Sequence, residues 1–109
     1  MIALIVALLP LSVYAGDVNN GKKLFKKHCK GCHRLTEGVV MGPSLKGVTQ
    51  RLSEEWIDKW LQSPKSVLKG GDPYAIKLVE KFKKVMPAKS AMKDPKNRED
   101  VISFLKSVN

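Results

Sequence analysis

Cysteine is scarce: the 109 residues hold only two. That excludes a disulfide-dense secreted scaffold. Aromatic side chains are few as well, three Phe, two Tyr and two Trp. A short chain with so little aromatic mass needs something besides its own side chains to stabilise a core. Acidic residues number 10 against 20 Lys and Arg, which leaves a formal charge of +10. No apolar run reaches the ~20 residues that a membrane-spanning helix requires. What is present is a globular composition, 43% hydrophobic and 28% charged, in a length that admits one domain.

The first fifteen residues stand apart. Met1 to Ala15 carries no charged side chain, and Ile2 to Leu9 is unbroken apolar sequence closed by Pro10. Val13-Tyr14-Ala15 then supplies the V-x-A form of an export cleavage site. The expectation is a signal peptide over 1–15, removed to leave a domain over 16–109 in the periplasm. No Lys or Arg precedes the apolar core, which departs from the usual layout; an uncleaved apolar anchor is the alternative.

The remainder reads as all-α. A helix is expected over about Val18 to His28, with Asp17 as N-cap. A second starts after Ser53, with Glu54 and Glu55 in its first turn, where the helix dipole favours anions. Trp56, Ile57, Trp60 and Leu61 form one face of it, and Pro64 stops it. A third begins at Asp72-Pro73 with Ile76, Val79 and Phe82 as its apolar face. A fourth begins at Asp94-Pro95 and carries Val101, Ile102, Phe104, Leu105 and Val108. The irregular stretches Arg34 to Gln50 and Lys84 to Lys93 are the lengths of chain expected to wrap something.

Cys29-Lys30-Gly31-Cys32-His33 is C-x-x-C-H, the attachment sequence for c-type haem. Each thiol adds to one vinyl group, and the two intervening residues set the sulfurs at the separation of the vinyls. The His directly after the second Cys is then carried to the iron as proximal ligand. A thioredoxin-type pair would want a βαβ context that the sequence lacks. A zinc site would need two more ligands that His28 and His33 cannot comfortably complete. A disulfide between Cys29 and Cys32 would close a tight, strained ring.

From this motif outward the chain resembles the class I c-type cytochromes, over essentially all of 17–109. Gly21-Lys22-Lys23-Leu24-Phe25 precedes the motif as in mitochondrial and bacterial members. Gly42-Pro43-Ser44-Leu45-Lys46-Gly47 resembles their G-P-x-L-x-G segment, and Arg98 to Lys106 resembles their last helix. The segment from Gly71-Asp72-Pro73-Tyr74 to Val85-Met86-Pro87 is longer than in mitochondrial members and looks more like bacterial exported monohaem cytochromes. The resemblance implies a small helical fold wrapped around one covalent haem c, with its iron. It implies Gly21 and Phe25 against Val101 and Phe104, and the backbone carbonyl of Pro43 on the ring N–H of His33. It makes Cys29 and Cys32 the thioether residues, His33 the proximal ligand and Pro43 and Trp60 part of the haem pocket. It favours Met86, twelve residues before Arg98, as the distal ligand, with Met92 or an open site as alternatives. Met41 falls on the proximal side. The Trp that mitochondrial members place near a haem propionate has no clear match, so Trp56 and Trp60 read as core, with Trp60 against the haem.

The function this implies is single-electron transfer, Fe(III) to Fe(II) and back, by a protein that is not an enzyme. The lysines around the motif and the distal loop, Lys27 and Lys89 among them, would steer a monomer toward acidic-surfaced redox proteins, such as a reductase complex or a terminal oxidase or reductase. Transient attraction to a membrane surface is a secondary expectation. Nucleic acid is not expected as a partner, since no recognition motif is present. A relay subunit of a periplasmic oxidoreductase complex is the alternative role, and a ligand-binding haem sensor a third.

Overall fold

A computed structural model describes residues 16–109; the expected signal segment, 1–15, lies outside the described residues. Among those described there are six α-helices and no strand. In chain order they are α1 (Val18–His28), α2 (Val48–Arg51), α3 (Glu54–Gln62), α4 (Pro64–Lys69), α5 (Pro73–Phe82) and α6 (Pro95–Val108), with a 3-10 turn over Ser90–Lys93 before α6. None of these helices is long and apolar enough to cross a membrane.

The helix starts follow from side-chain caps. Asp17 accepts from the Asn20 N–H at 3.1 Å, Ser53 from that of Trp56 at 3.1 Å, and Asp72 from that of Ala75 at 2.9 Å. Each satisfies one of the orphan amides of a first turn. Pro64 does more than stop α3. Ser63 closes α3 and also caps α4, its hydroxyl accepting from the Ser66 N–H at 3.2 Å. Pro64 is then the first residue of a new helix, where a fixed φ and a missing N–H cost nothing.

The frame is the packing of α1 on α6. Gly21 sits where the backbones nearly touch: a Cβ there would lie 2.0 Å from the Asp100 carbonyl oxygen. Hydrogen alone fits. One turn on, the rings of Phe25 and Phe104 meet at 5.5 Å between centroids. Val101, Leu105, Ile57 and Leu61 complete the core beside them.

Asp100 is buried in this seam yet fully engaged. It accepts from the Asp17 N–H at 2.7 Å, Asn20 Nδ2 at 2.8 Å and Lys96 Nζ at 2.7 Å. Burial by itself would raise its carboxyl pKa; the hydrogen bonds from Lys96, Asn20 and the Asp17 backbone outweigh that and hold it below the ordinary value.

The apolar face expected of α5 is rotated in the structure. Ile76 is exposed, whereas Ala75 is buried and Leu78, Val79 and Phe82 are half-buried. The latter three line a slot rather than pack into the α1–α6 core. Their apolar surface is matched to something other than a neighbouring helix.

Candidate haem site

The C-x-x-C-H motif continues α1 as a tight turn. The Cys32 and His33 amides both donate to the Cys29 carbonyl, at 3.1 and 3.0 Å. The chain then loops out and is tied back, Gly42 N–H to Cys32 O at 2.9 Å and Leu45 N–H to Arg34 O at 2.8 Å. This brings Gly42-Pro43 against the His33 ring. A Cβ on Gly42 would stand 2.8 Å from His33 Cε1, so only glycine permits that approach. His33 Nδ1 lies 2.8 Å from the Pro43 carbonyl oxygen. A carbonyl can only accept, so Nδ1 carries the proton and Nε2 keeps its lone pair, the form a metal requires.

Beside His33 is an apolar slot in two adjoining halves that share part of their lining. Both halves are lined by His33, Pro43, Trp60, Leu78 and Met86. Cys32 lines the first and Cys29 the second, and His33, directly after Cys32 in sequence, lines both. The two are not joined as a disulfide. Cys29 is buried, which pushes its thiol up to about 11; the nearby charge of Lys89 acts against that, and Cys32 adds to it. Among the described residues no three of His, Cys, Asp and Glu converge to hold a metal ion by themselves.

The methionines separate by position. Met86 is half-buried and lines both halves of the slot. Met92 is buried in the α1–α6 core and lines neither. Met41 is exposed and lines the first half only, its sulfur 4.0 Å from Cys32 Sγ, on the side of the attachment motif. Trp60 is buried and lines both halves, and its indole N–H donates to Met86 Sδ at 3.2 Å. His28 is half-buried at the end of α1.

Trp56, which reads from sequence as core, and Arg51, which no motif singles out, gain a place here. Trp56 stacks on Trp60, 5.2 Å between centroids at 14°. It lines the second half, and its Nε1 is buried with no hydrogen-bond partner. Arg51 lines the same half and donates to the carbonyls of Lys46 and Ser44. No sequence signal distinguishes a tryptophan on an apolar helical face from one that needs an acceptor; only the orphaned N–H does.

Taken together these features fit an iron porphyrin attached through thioethers. The walls are apolar, an imidazole and a thioether both reach the slot, and two free thiols stand beside the imidazole. The buried Trp56 N–H and the Arg51 guanidinium in one half match the carboxylates that a haem carries on one edge. The site and the helical shell around it define a c-type haem protein. A profile for cytochrome c matches residues 18–109, and the chain belongs to the cytochrome c family. Its cofactor is haem c, covalently bound, and the function of the family is electron transfer.

Similar proteins agree. A "cytochrome c-553-like" protein of Synechocystis sp. is 40% identical over 42 residues, a match that covers 38% of this chain and 40% of that protein. The cytochrome c of Rhodothermus marinus superposes with a TM-score of 0.76 at 25% identity, over 84% of this chain and 75% of that one. The cytochrome c domain of the pp3183 protein from Pseudomonas putida gives 0.67 at 27% identity, over 80% and 85%.

Proposed function

We propose that the protein is a class I, His/Met-ligated monohaem cytochrome c that carries single electrons between redox partners in the periplasm. The observation that carries this reading is the convergence of His33, Met86, Cys29 and Cys32 on one slot. When bound, haem c supplies a reversible one-electron couple. The chain's own residues set how that couple behaves. Cys29 and Cys32 form the thioethers and keep the cofactor in place. Pro43 holds His33 in the Nδ1-protonated tautomer, and Gly42 lets the ring stand close. Met86 supplies a soft, neutral sulfur, a ligand type that favours ferrous iron and raises the potential. His33 and Met86 would both hold the iron and so would leave no place on it for a substrate, which supports the role of carrier rather than enzyme. Trp56 and Arg51 hold the carboxylate edge.

The V-x-A segment at Val13–Ala15 supports export with cleavage after Ala15. The charge of +10 supports docking of a monomer to acidic-surfaced redox proteins such as a reductase complex or a terminal oxidase.

The distal ligand is the decisive point. In Met86→Ala the weak methionine-to-iron charge-transfer band in the red disappears, carbon monoxide binds the reduced protein, and the potential falls. Met92→Ala keeps the band and loses stability instead, by about 2–5 kcal/mol for a buried methionine. The reverse pattern would transfer the ligand role to Met92.

A further inference from the structure

Gly16 and Gly21 both lie where α6 leaves no room for a side chain. A Cβ on Gly16 would stand 2.4 Å from Ser103 Oγ and 2.7 Å from the Glu99 carbonyl oxygen. The Gly16 N–H donates to Ser103 Oγ at 3.0 Å, and the next amide, that of Asp17, donates to the Asp100 carboxylate at 2.7 Å. The chain thus enters the seam amide by amide, against acceptors on α6. The charges at this end of the seam do not balance. Asp17, Glu99 and Asp100 all bear on one cation, Lys96. The hydrogen bond to Asp100 holds Lys96 above its ordinary value against desolvation, and the charges of Asp100, Glu99 and Asp17 add to that. Lys106, one turn along α6 from Ser103, is committed to Glu54. Three carboxylates therefore share a single side-chain ammonium.

Gly16 is also the residue that follows the V-x-A segment Val13-Tyr14-Ala15. We propose that signal cleavage completes this cluster: the α-ammonium released on Gly16 is a structural cation of the α1–α6 seam, bound at Ser103 beside Asp17, Glu99 and Asp100. This rests on the reading of cleavage after Ala15. Hydrolysis by a signal peptidase breaks the C–N bond between Ala15 and Gly16. The oxygen of water goes to the Ala15 carboxylate and both its protons go to the Gly16 nitrogen, leaving –COO⁻ and –NH₃⁺. An amide gives one hydrogen bond where an ammonium has three donors and a full charge. Glycine at 16 is what lets that nitrogen stand so close to α6. The uncleaved chain keeps the bond to Ser103 and lacks the charge, so the seam reaches full strength only once the domain has been released.

The exported holoprotein tests this through its terminal amine. Intact mass first fixes the terminus at Gly16. The Gly16 Cα shift in the carbon-labelled ferrous protein then follows the amine, whose titration midpoint lies above the ordinary α-amine range of about 7.7–8.0. A folded pKa raised in this way contributes stability that is present below the unfolded value and lost as pH rises through the folded one. One Thr inserted ahead of Gly16 moves the charge ~3.8 Å along the chain and leaves an amide to bond Ser103. From about pH 6 to about pH 10 the parent therefore loses about tenfold in its folded-to-unfolded ratio relative to the insertion variant, the equivalent of one pKa unit. Ser103→Ala removes the acceptor and brings the amine back toward the ordinary range. A terminus other than Gly16 overturns the cleavage reading and the proposal with it. A Gly16 terminus whose amine titrates in the ordinary range overturns the role of the ammonium alone. The same pH dependence of stability in parent and insertion variant does so as well.

Discussion

The seam between α1 and α6 and the slot between α3, α5 and the Met86 segment are built from the same few residue types, with opposite outcomes. In the seam every demand is met by protein. Gly21 admits a neighbouring backbone, Phe25 meets Phe104, and a buried carboxylate at Asp100 has three donors. Around the slot the demands are left open. Leu78, Val79 and Phe82 are half-buried, an indole N–H has no acceptor, and two thiols stand unpaired. One half of the molecule is complete as polypeptide; the other is complete only with its cofactor. A small domain with so short a supply of aromatics can be stable in this way because the porphyrin does the work of a core.

The strongest way to break this contrast is to prevent attachment. Cys29→Ser with Cys32→Ser is expected to abolish the cooperative fold, since the ordering entropy of the slot segments is no longer offset by burial. Circular dichroism should show poor helicity, and limited proteolysis should cut first within 72–89. A well-folded, haem-free double variant would show that the slot half does not depend on the cofactor.

The seam is broken more locally. Gly21→Ala puts a methyl 2.0 Å from the Asp100 carbonyl and 2.8 Å from Phe104 Cβ, so α1 must move off α6. The expected loss is about 3 kcal/mol, read as a lowered denaturation midpoint with the visible spectrum retained.

Asp100→Asn is a smaller and pH-dependent change. A carboxyl whose folded pKa is depressed contributes stability above its unfolded value of 3.8 and loses it as pH falls through the folded value. The variant should therefore be less stable than the parent by about 1–3 kcal/mol at pH 5–8, with the gap closing as the pH drops below 3.8. A gap that stays constant down to pH 2 would mean that the charge of Asp100 contributes nothing.

The smallest effect on the fold falls on the lysines. Lys27→Gln and Lys89→Gln should leave spectrum and stability unchanged and slow association with an acidic partner at low salt. Lys106→Gln, at the far end of α6 and paired with Glu54, should slow it less. The difference should vanish as the Debye length falls from ~10 Å at 0.1 M salt to ~3 Å at 1 M. Equal slowing at all three sites in a stopped-flow salt series would leave only a generic basic surface.

What could be read in the sequence follows the same division. α1, α3, α5 and α6 were legible because Asp17, Ser53, Asp72 and Asp94 announce them. α2 was not, being four residues that start at Val48 after Gly47, which offers no side-chain cap. α4 was hidden because Pro64 reads equally as the end of one helix and the start of another. In the site, C-x-x-C-H was explicit, since its chemistry is local in sequence. The separation of Met86 from Met92 needed the fold, because both sit in irregular chain and only burial distinguishes core from slot. Trp56 and Arg51 were invisible for a different reason. An unmet hydrogen bond is a property of surroundings, and nothing in residue order records it.

Arg98 has one further consequence. Buried, and bonded through Nε to Asp58 at 2.7 Å, it clamps the carbonyls of Met92 and Lys93, while Lys83 ends α5 on the other side. The intervening strap, Lys84 to Ala91, is a short tether fixed at both ends. A sulfur on such a tether is present at an effective concentration in the millimolar range. On the proposed ligation, a free thioether added to the solution must exceed that concentration before it competes with Met86. Cutting the clamp with Arg98→Ala would lower that threshold without touching the sulfur.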